Sequence, residues 1–251
     1  MAKVPNYPIY GLNTVLAVLN HAPERVITLT IENSRKDDRV YELKQLANQL
    51  GLVVQSMDSR GFEKQLGEVN HQGVMALVKP AAALKETLLF DQLEQLTSTP
   101  LLLCLDGVQD PHNLGACLRT ADAAGVDAVI VPRDKACGLT ATVSKVASGA
   151  AEVVPFYAVT NFARCLREVQ QQGIWCIGLA GEAKASYYDQ TLTGPLALVM
   201  GAEGKGLRRL TRETCDELTH LPMLGSVSSL NVSVSAGVAL FEVVRQRALI
   251  R

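Results

Sequence analysis

Hydrophobic positions along the chain fall into two recurring patterns. Leu12, Val15, Leu16 and Leu19 share one face at helical spacing, and the run Val26-Ile27-Thr28-Leu29-Thr30-Ile31 has the β-branched character of a strand. Asp37 or Asp38 is placed to cap a helix carrying Val40, Leu43, Leu46, Ala47 and Leu50, which Gly51 stops. Val53-Val54 and Val74-Met75-Ala76-Leu77-Val78 read as further strands, so residues 1–78 form a small α/β module. Over 79–99 the periodicity weakens to Pro80, an alanine triplet, mixed charges and Ser98-Thr99-Pro100. That is the pattern of a linker, with room for a short helix at 88–96.

From residue 100 to 251 the alternation is cleaner. Leu101-Leu102-Leu103-Cys104-Leu105 suits a buried strand, and Asp110-Pro111 opens a helix that buries Leu114, Cys117, Leu118 and Ala121 and stops at Gly125. Strands are expected at 128–131, at Val153-Val154, at 174–180 and at 196–200, with helices at 139–147, from Thr160 to Gly173, and near 207–218. Strands separated by helices imply a mostly parallel sheet covered on both faces. The last helix, about 230–247, carries two apolar stripes: Leu230, Val234, Gly237, Val238, Phe241 and Val244 on one side, Val232, Ala236, Ala239 and Val243 on the other. A helix apolar nearly all round is buried, inside its domain or at a subunit interface.

Composition narrows the class. Hydrophobic residues make up 48% of 251, enough for a real core in one large domain or two ordinary ones. No apolar run reaches the roughly 18–20 residues of a membrane span, and the N-terminus has no basic segment followed by a long apolar core. The six cysteines are scattered without a C-x-x-C pair and read as small buried hydrophobes of a cytoplasmic protein; the four histidines show no metal-ligand spacing. A formal net charge of −1 gives no general attraction to nucleic acid. Two local clusters remain, Lys205/Arg208/Arg209/Arg212 and Arg245/Arg247/Arg251, and such clusters are more often solvated helix faces than binding sites.

Three loops that follow strands are the candidate chemistry, because open α/β sheets bind ligands beyond the carboxyl ends of their strands. The first runs from Asp106 through His112 and Asn113 into the helix of Arg119, which lies outside that helix's apolar stripe. Asn113 and Arg119 also fit a capping asparagine and a surface arginine. The second, Gly201-Ala202-Glu203-Gly204-Lys205-Gly206, lets backbone approach a ligand or makes a tight turn; it is neither a P-loop nor a dinucleotide fingerprint. In the third, Gly225-Ser226-Val227-Ser228-Ser229-Leu230-Asn231-Val232-Ser233-Val234-Ser235, polar residues crowd the entry of the last helix, as ligand contacts or as caps. There is no Gly-x-Ser-x-Gly elbow for nucleophilic hydrolysis.

Taken together and in this order, residues 105–121, 198–206 and 221–233 resemble the three signatures of the SpoU/TrmH branch of SPOUT methyltransferases. Tyr10-Gly11, Ala22-Pro23-Glu24-Arg25 and His71-Gln72-Gly73 extend the similarity over nearly the whole chain. The resemblance implies an α/β protein with an L30e-like RNA-binding domain at 1–78, a linker at 79–99, and at 100–251 a parallel-sheet catalytic domain that is a homodimer with a trefoil knot. That knot is a rare exception to the rule against threaded chains. It implies S-adenosylmethionine as cofactor, held by Leu179, Ala180, Gly181, Met200, Gly201, Leu221, Met223 and Leu230. It also implies a catalytic group of Asn113, Arg119, Glu203, Ser229 and Asn231, with no metal.

The similarity is greatest to bacterial members that methylate a guanosine ribose of 23S rRNA, although relatives with similar signatures act on tRNA. Guanidinium hardly deprotonates in proteins, so Arg119 is expected to clamp a phosphate beside the reacting ribose rather than act as a base. Glu203 is expected to pair with Arg119 or to accept the 2′-OH. Asn231 and Ser229 would orient substrate and arginine. The rivals are a catalytically inactive RNA-binding relative and a nucleotide-dependent oxidoreductase, the latter disfavoured by the missing fingerprint.

Overall fold

A computed structural model describes residues 5–250, which divide into two compact units, 5–82 with 139–153 and 83–138 with 154–250. In the first unit β1 (Tyr7–Tyr10), β2 (Val26–Glu32), β3 (Val54–Met57) and β4 (Val74–Val78) form a sheet in the order β1-β4-β2-β3. β4 is antiparallel to both β1 and β2, and β2 is parallel to β3. Helices α1 (Leu12–His21), α2 (Asp38–Gln49) and α3 (Ser59–Leu66) complete the N-terminal segment. Asp37 caps α2 by accepting from the Val40 N–H. Val15, Leu19, Leu29, Ile31, Leu43 and Val74 form the centre of one core.

The second unit is built on a seven-stranded sheet in which every pairing is parallel. After α4 (Glu86–Gln95) come β5 (Leu101–Asp106), α5 (Pro111–Ala123) and β6 (Ala128–Pro132). The chain next contributes α6 (Ala141–Ala147) and α7 (Ala150–Val153) to the first unit. It returns with β7 (Phe156–Val159), α8 (Phe162–Gln171), β8 (Trp175–Leu179), β9 (Ala185–Ser186), β10 (Leu196–Gly201), α9 (Arg209–Thr214), β11 (Glu217–His220) and α10 (Val232–Ala248). The order is β7-β6-β5-β10-β8-β11-β9. Every residue of β5 and β6 is buried, which is why both read as unbroken apolar runs rather than as alternations.

Several elements differ from the sequence expectation. Residues 83–99 are not a bare linker: α4 buries Leu89 and Leu93 in the core of the second unit with Leu102, Ile130 and Leu166. Val153 ends the short helix α7, Pro155 breaks it, and the strand expected at 153–154 begins at Phe156 instead. The helix expected at 207–218 is only α9, because Asp216 leaves it for the sheet, where its N–H donates to the Cys176 carbonyl and its carboxylate accepts from the Cys176 N–H. Residues 217–220 are therefore a strand. α10 is buried along only one of its stripes: Ala236, Ala239, Leu240 and Val243 are covered, whereas Val234 and Phe241 are 50% and 48% exposed. The six cysteines are free, four of them buried, and burial pushes the Cys117 and Cys165 thiols up to about 12. Among the described residues no helix is long and apolar enough to cross a membrane.

Candidate active site

Pairing of neighbouring strands sets four strand ends side by side at one edge of the sheet. Asp106, the last residue of β5, lies opposite Gly201, the last of β10. Met200 of β10 lies opposite Leu179 of β8, and Thr219 of β11 opposite Leu179 from the other side. The loops after β5, β10, β8 and β11 therefore leave the sheet together, where β10 has been inserted between β5 and β8.

The loop after β10 is a tight backbone return. Gly206 donates its N–H to the Ala202 carbonyl at 2.8 Å, and Gly204 and Gly206 hold φ of +75° and +63°. The return passes so close to Gly201 that a Cβ there would lie 2.0 Å from the Gly206 carbonyl carbon and 2.3 Å from the Leu207 nitrogen. The far end of the loop is tied down by Asp106, which is 1% exposed. One carboxylate oxygen accepts the Arg208 N–H at 3.0 Å, and the other lies 2.8 Å from Arg208 Nε. The second is a charge contact rather than a well-directed hydrogen bond, since Oδ1 meets no donor at hydrogen-bonding angles. Removing this anchor leaves the Arg208 N–H unsatisfied while its guanidinium, on the open side, rehydrates. Asp106→Ala is expected to lower stability by about 1–3 kcal/mol, read from the midpoint of urea unfolding at unchanged slope.

Between these loops lies a cavity of about 390 Å³. Its walls include Leu179, Ala180, Gly181, Met200, Gly201, Leu221, Met223 and Leu230, and Glu203 and Ser229 reach it from the second and third loops. Asn113 and Asn231 stand beside it, joined by a directed run of hydrogen bonds. Ser233 donates through N–H and hydroxyl to Asn231 Oδ1, at 2.9 and 2.7 Å; Asn231 Nδ2 donates to Asn113 Oδ1 at 2.9 Å; and Asn113 Nδ2 donates to Glu203 Oε2 at 3.1 Å. One polar chain thus links all three loops. Asn113, 8% exposed in the first turn of α5, is at its centre. Asn231 is also the N-cap of α10, so both readings of it hold.

Arg119 stands apart from this group. It is exposed on α5, does not line the cavity, and makes no ion pair or hydrogen bond among the described residues. The Glu203 carboxylate is engaged by Asn113 instead. The basic clusters are largely internally paired: Arg208 with Asp106, Arg209 with Glu213, Arg212 with Glu182 and Arg245 with Glu242, while Arg247 donates to the carbonyls of Thr99, Pro100 and Gly194. Arg251 lies outside the described residues. Two titratable cavity residues escaped the sequence reading, Glu182 and His220, and Arg212, noted there only in a basic cluster, lines the cavity as well. Glu182 directly follows Gly181, and His220 ends β11, so the strand-end rule would have found both had β11 been recognised. Among the described residues no group of His, Cys, Asp or Glu is placed to hold a metal ion.

A family profile described as the SpoU rRNA Methylase family matches residues 100–241, more than half of the chain. The chain belongs to the SpoU rRNA methylase family. A second profile, described as RNA 2′-O ribose methyltransferase substrate binding, matches residues 8–84. Two SpoU relatives named 23S rRNA (guanosine-2′-O-)-methyltransferase RlmB are similar over nearly their full length. The Pasteurella multocida protein is 60% identical over 241 residues, 95% of this chain and 98% of that protein. The Vibrio vulnificus protein is 57% identical over 239 residues, 95% and 96% respectively. The SpoU methyltransferase AviRb from Streptomyces viridochromogenes, solved in complex with AdoMet, has the same fold. Its TM-score is 0.78 at 23% identity, over 97% of this chain and 91% of that one.

Proposed function

We propose that this chain transfers the methyl group of S-adenosylmethionine to the ribose 2′-OH of a guanosine in 23S rRNA, in the cytoplasm. The observation that carries the proposal is the hydrogen-bonded run from Asn231 through Asn113 to Glu203 beside the cavity. The cavity fits the cofactor. Its volume is in the range of about 300–1,000 Å³ usual for small-molecule sites. Leu179, Met200, Leu221 and Leu230 offer apolar walls to a purine, Gly181 and Gly201 leave backbone bare, and Glu182 and Glu203 suit a ligand bearing a sulfonium and an ammonium. The buried Nδ1 of His220, without a partner among the described residues, is one more polar atom for it.

Bound there, S-adenosylmethionine supplies a methyl carbon made electrophilic by its sulfonium. The chain's own task is alignment, and holding the ribose oxygen at attack distance is worth about 7–11 kcal/mol. Glu203, with one carboxylate oxygen fixed by Asn113, offers the other to the 2′-OH and takes its proton as the oxygen bonds to the methyl carbon and the sulfur leaves as a neutral thioether. Arg119, with no partner among the described residues, takes the adjacent phosphate through two parallel hydrogen bonds. Ser229 and Asn231 hold the third loop against the substrate. RNA loops present unstacked riboses of the kind this arrangement needs. Residues 1–78 are thereby assigned to an L30e-like RNA-binding domain, 79–99 to the connection that carries α4, and 100–251 to the catalytic domain with its trefoil knot, its stretch 139–153 packing with the first unit.

The polarity of the amide run makes a sharp test of Glu203. Asn113→Asp keeps the shape but sets a carboxylate against Glu203, so one of the two holds a proton or turns away. Turnover of the cofactor-saturated enzyme at neutral pH is expected to fall about 10- to 100-fold, measured by single-turnover methylation at S-adenosylmethionine concentrations set by calorimetry. The open stripe of α10 supports a homodimer through the second unit, because Val234 and Phe241, with Leu230 before them, form an apolar face. Phe241→Glu is expected to halve the molecular mass seen by light scattering at micromolar concentration. A wild-type protein already monomeric there rules the dimer out.

The deciding experiment incubates the protein with tritiated cofactor and separate pools of unmodified 23S rRNA and tRNA, then maps any labelled nucleotide. Label on a guanosine 2′-O of 23S rRNA is expected. Label confined to tRNA overturns the substrate, and cofactor binding without transfer to either pool makes the chain an inactive relative.

A further inference from the structure

A second cavity, of about 440 Å³, lies in the first unit, far along the chain from the loops described above. Tyr10, Asn13, Asn70, Gln72, Lys145 and Ser148 line it. Its shape is fixed by backbone that few residues adopt: Gln72 and Ser148 hold φ of 51° and 53°, and Gly11 holds 89°. Gln72 is locked further, because its side-chain carbonyl accepts the Leu12 N–H at 2.9 Å. A wall held this way by left-handed residues and a side chain pinned across sixty positions is a built feature rather than a gap between loops.

The chemistry of the lining is one-sided. Among the described residues no carboxylate borders the cavity. Lys145 is exposed, makes no ion pair among the described residues, and holds its ammonium 5.4 Å above the centre of the Tyr10 ring. The Tyr10 hydroxyl is buried and finds no hydrogen-bond partner among the described residues. Asn13 and Asn70 bring amides, each both donor and acceptor. An aromatic ring, unpaired positive charge and amide edges together match one unit of single-stranded nucleic acid: a base to stack, base edges to bond, and a phosphate to neutralise.

We propose that this cavity binds one nucleotide of single-stranded RNA outside the reacting residue, with its base on Tyr10 and its phosphate on Lys145. The inference rests on the RNA-methyltransferase reading and adds to it a particular contact. Lys145 and Ser148 come from the chain between β6 and β7, so the N-terminal segment does not form this site by itself. The segment 139–153, which in sequence interrupts the catalytic half, completes an RNA contact of the other unit.

The test measures binding of a single-stranded 23S rRNA fragment to the full-length protein across a salt series, alongside methylation kinetics and S-adenosylmethionine binding. Lys145→Ala removes an exposed side chain and leaves the fold intact. It is expected to weaken RNA binding and to lower the slope of log affinity against log salt by about 0.7, the signature of one lost phosphate contact. KM for RNA rises while kcat and cofactor affinity hold, and Lys145→Arg restores both affinity and slope. Tyr10→Leu, which removes the ring, is expected to weaken binding about 5- to 100-fold. Guanosine monophosphate at millimolar concentration is expected not to displace the RNA. Displacement by it overturns the RNA assignment in favour of a free nucleotide. Unchanged affinity and salt slope in Lys145→Ala overturn the site while leaving the methyltransferase reading standing, and a wild-type protein that binds no RNA sinks both.

Discussion

Arg119→Ala is expected to lower methyl transfer by about 10³-fold with the melting temperature and cofactor affinity of the wild type. Losses of this size follow when a charged group that stabilises a transition state is removed. What separates this residue from its neighbours is the absence of any structural duty. The side chain is exposed on α5, lies outside the cavity walls, and bonds nothing among the described residues. Its removal unpairs no buried group and leaves no hole, so the whole effect falls on substrate that arrives from solution. Arg119→Lys is the sharper comparison, because an ammonium keeps the charge and loses the paired donors. It is expected to recover less than a tenth of the activity. Most of the activity surviving with an unchanged pH profile would remove both a bidentate clamp and an arginine base from the mechanism.

Gly201→Ala is expected to abolish measurable S-adenosylmethionine binding in calorimetry, a loss of at least about 100-fold, and to destabilise the fold by several kcal/mol. A methyl group at this position would sit within 2.3 Å of main-chain atoms of Gly206 and Leu207, and backbone cannot swing aside as a side chain does. The loop has to unwind, taking with it the Ala202–Gly206 closure and the placement of Glu203. Gly204→Ala separates collision from strain. It has open space around it but a φ of +75°, so it is expected to cost only about 1–2 kcal/mol and to keep cofactor binding. Wild-type affinity in Gly201→Ala would mean that the loop does not border the cofactor at all.

The sequence displayed the strands of the second unit best, because a strand buried on both faces is an unbroken apolar run, and 101–105, 128–131 and 196–200 have few alternative readings. It hid β11, whose Glu217-Leu218-Thr219-His220 has no such run and becomes a strand only by pairing with β8 and β9. All eight residues assigned to the cofactor by resemblance border the cavity, together with Glu203 and Ser229. That Asn113 would donate to Glu203, leaving Arg119 alone, was beyond reading along one helix. The partner lies ninety positions away and is delivered by a neighbouring strand. The two stripes of α10 were visible, but which one is covered depends on where α5 and the sheet lie, and that is tertiary information.

The borders of the large sheet are short. At one margin β9 is two residues long, and at the other the backbone of Leu84 bridges to β7, its N–H donating to the Phe156 carbonyl. Margins this short offer a foreign strand few donors and acceptors on which to add itself, which blunts the commonest route by which sheet proteins polymerise. The proposed dimer therefore falls to helix surfaces, where packing has to be matched residue by residue.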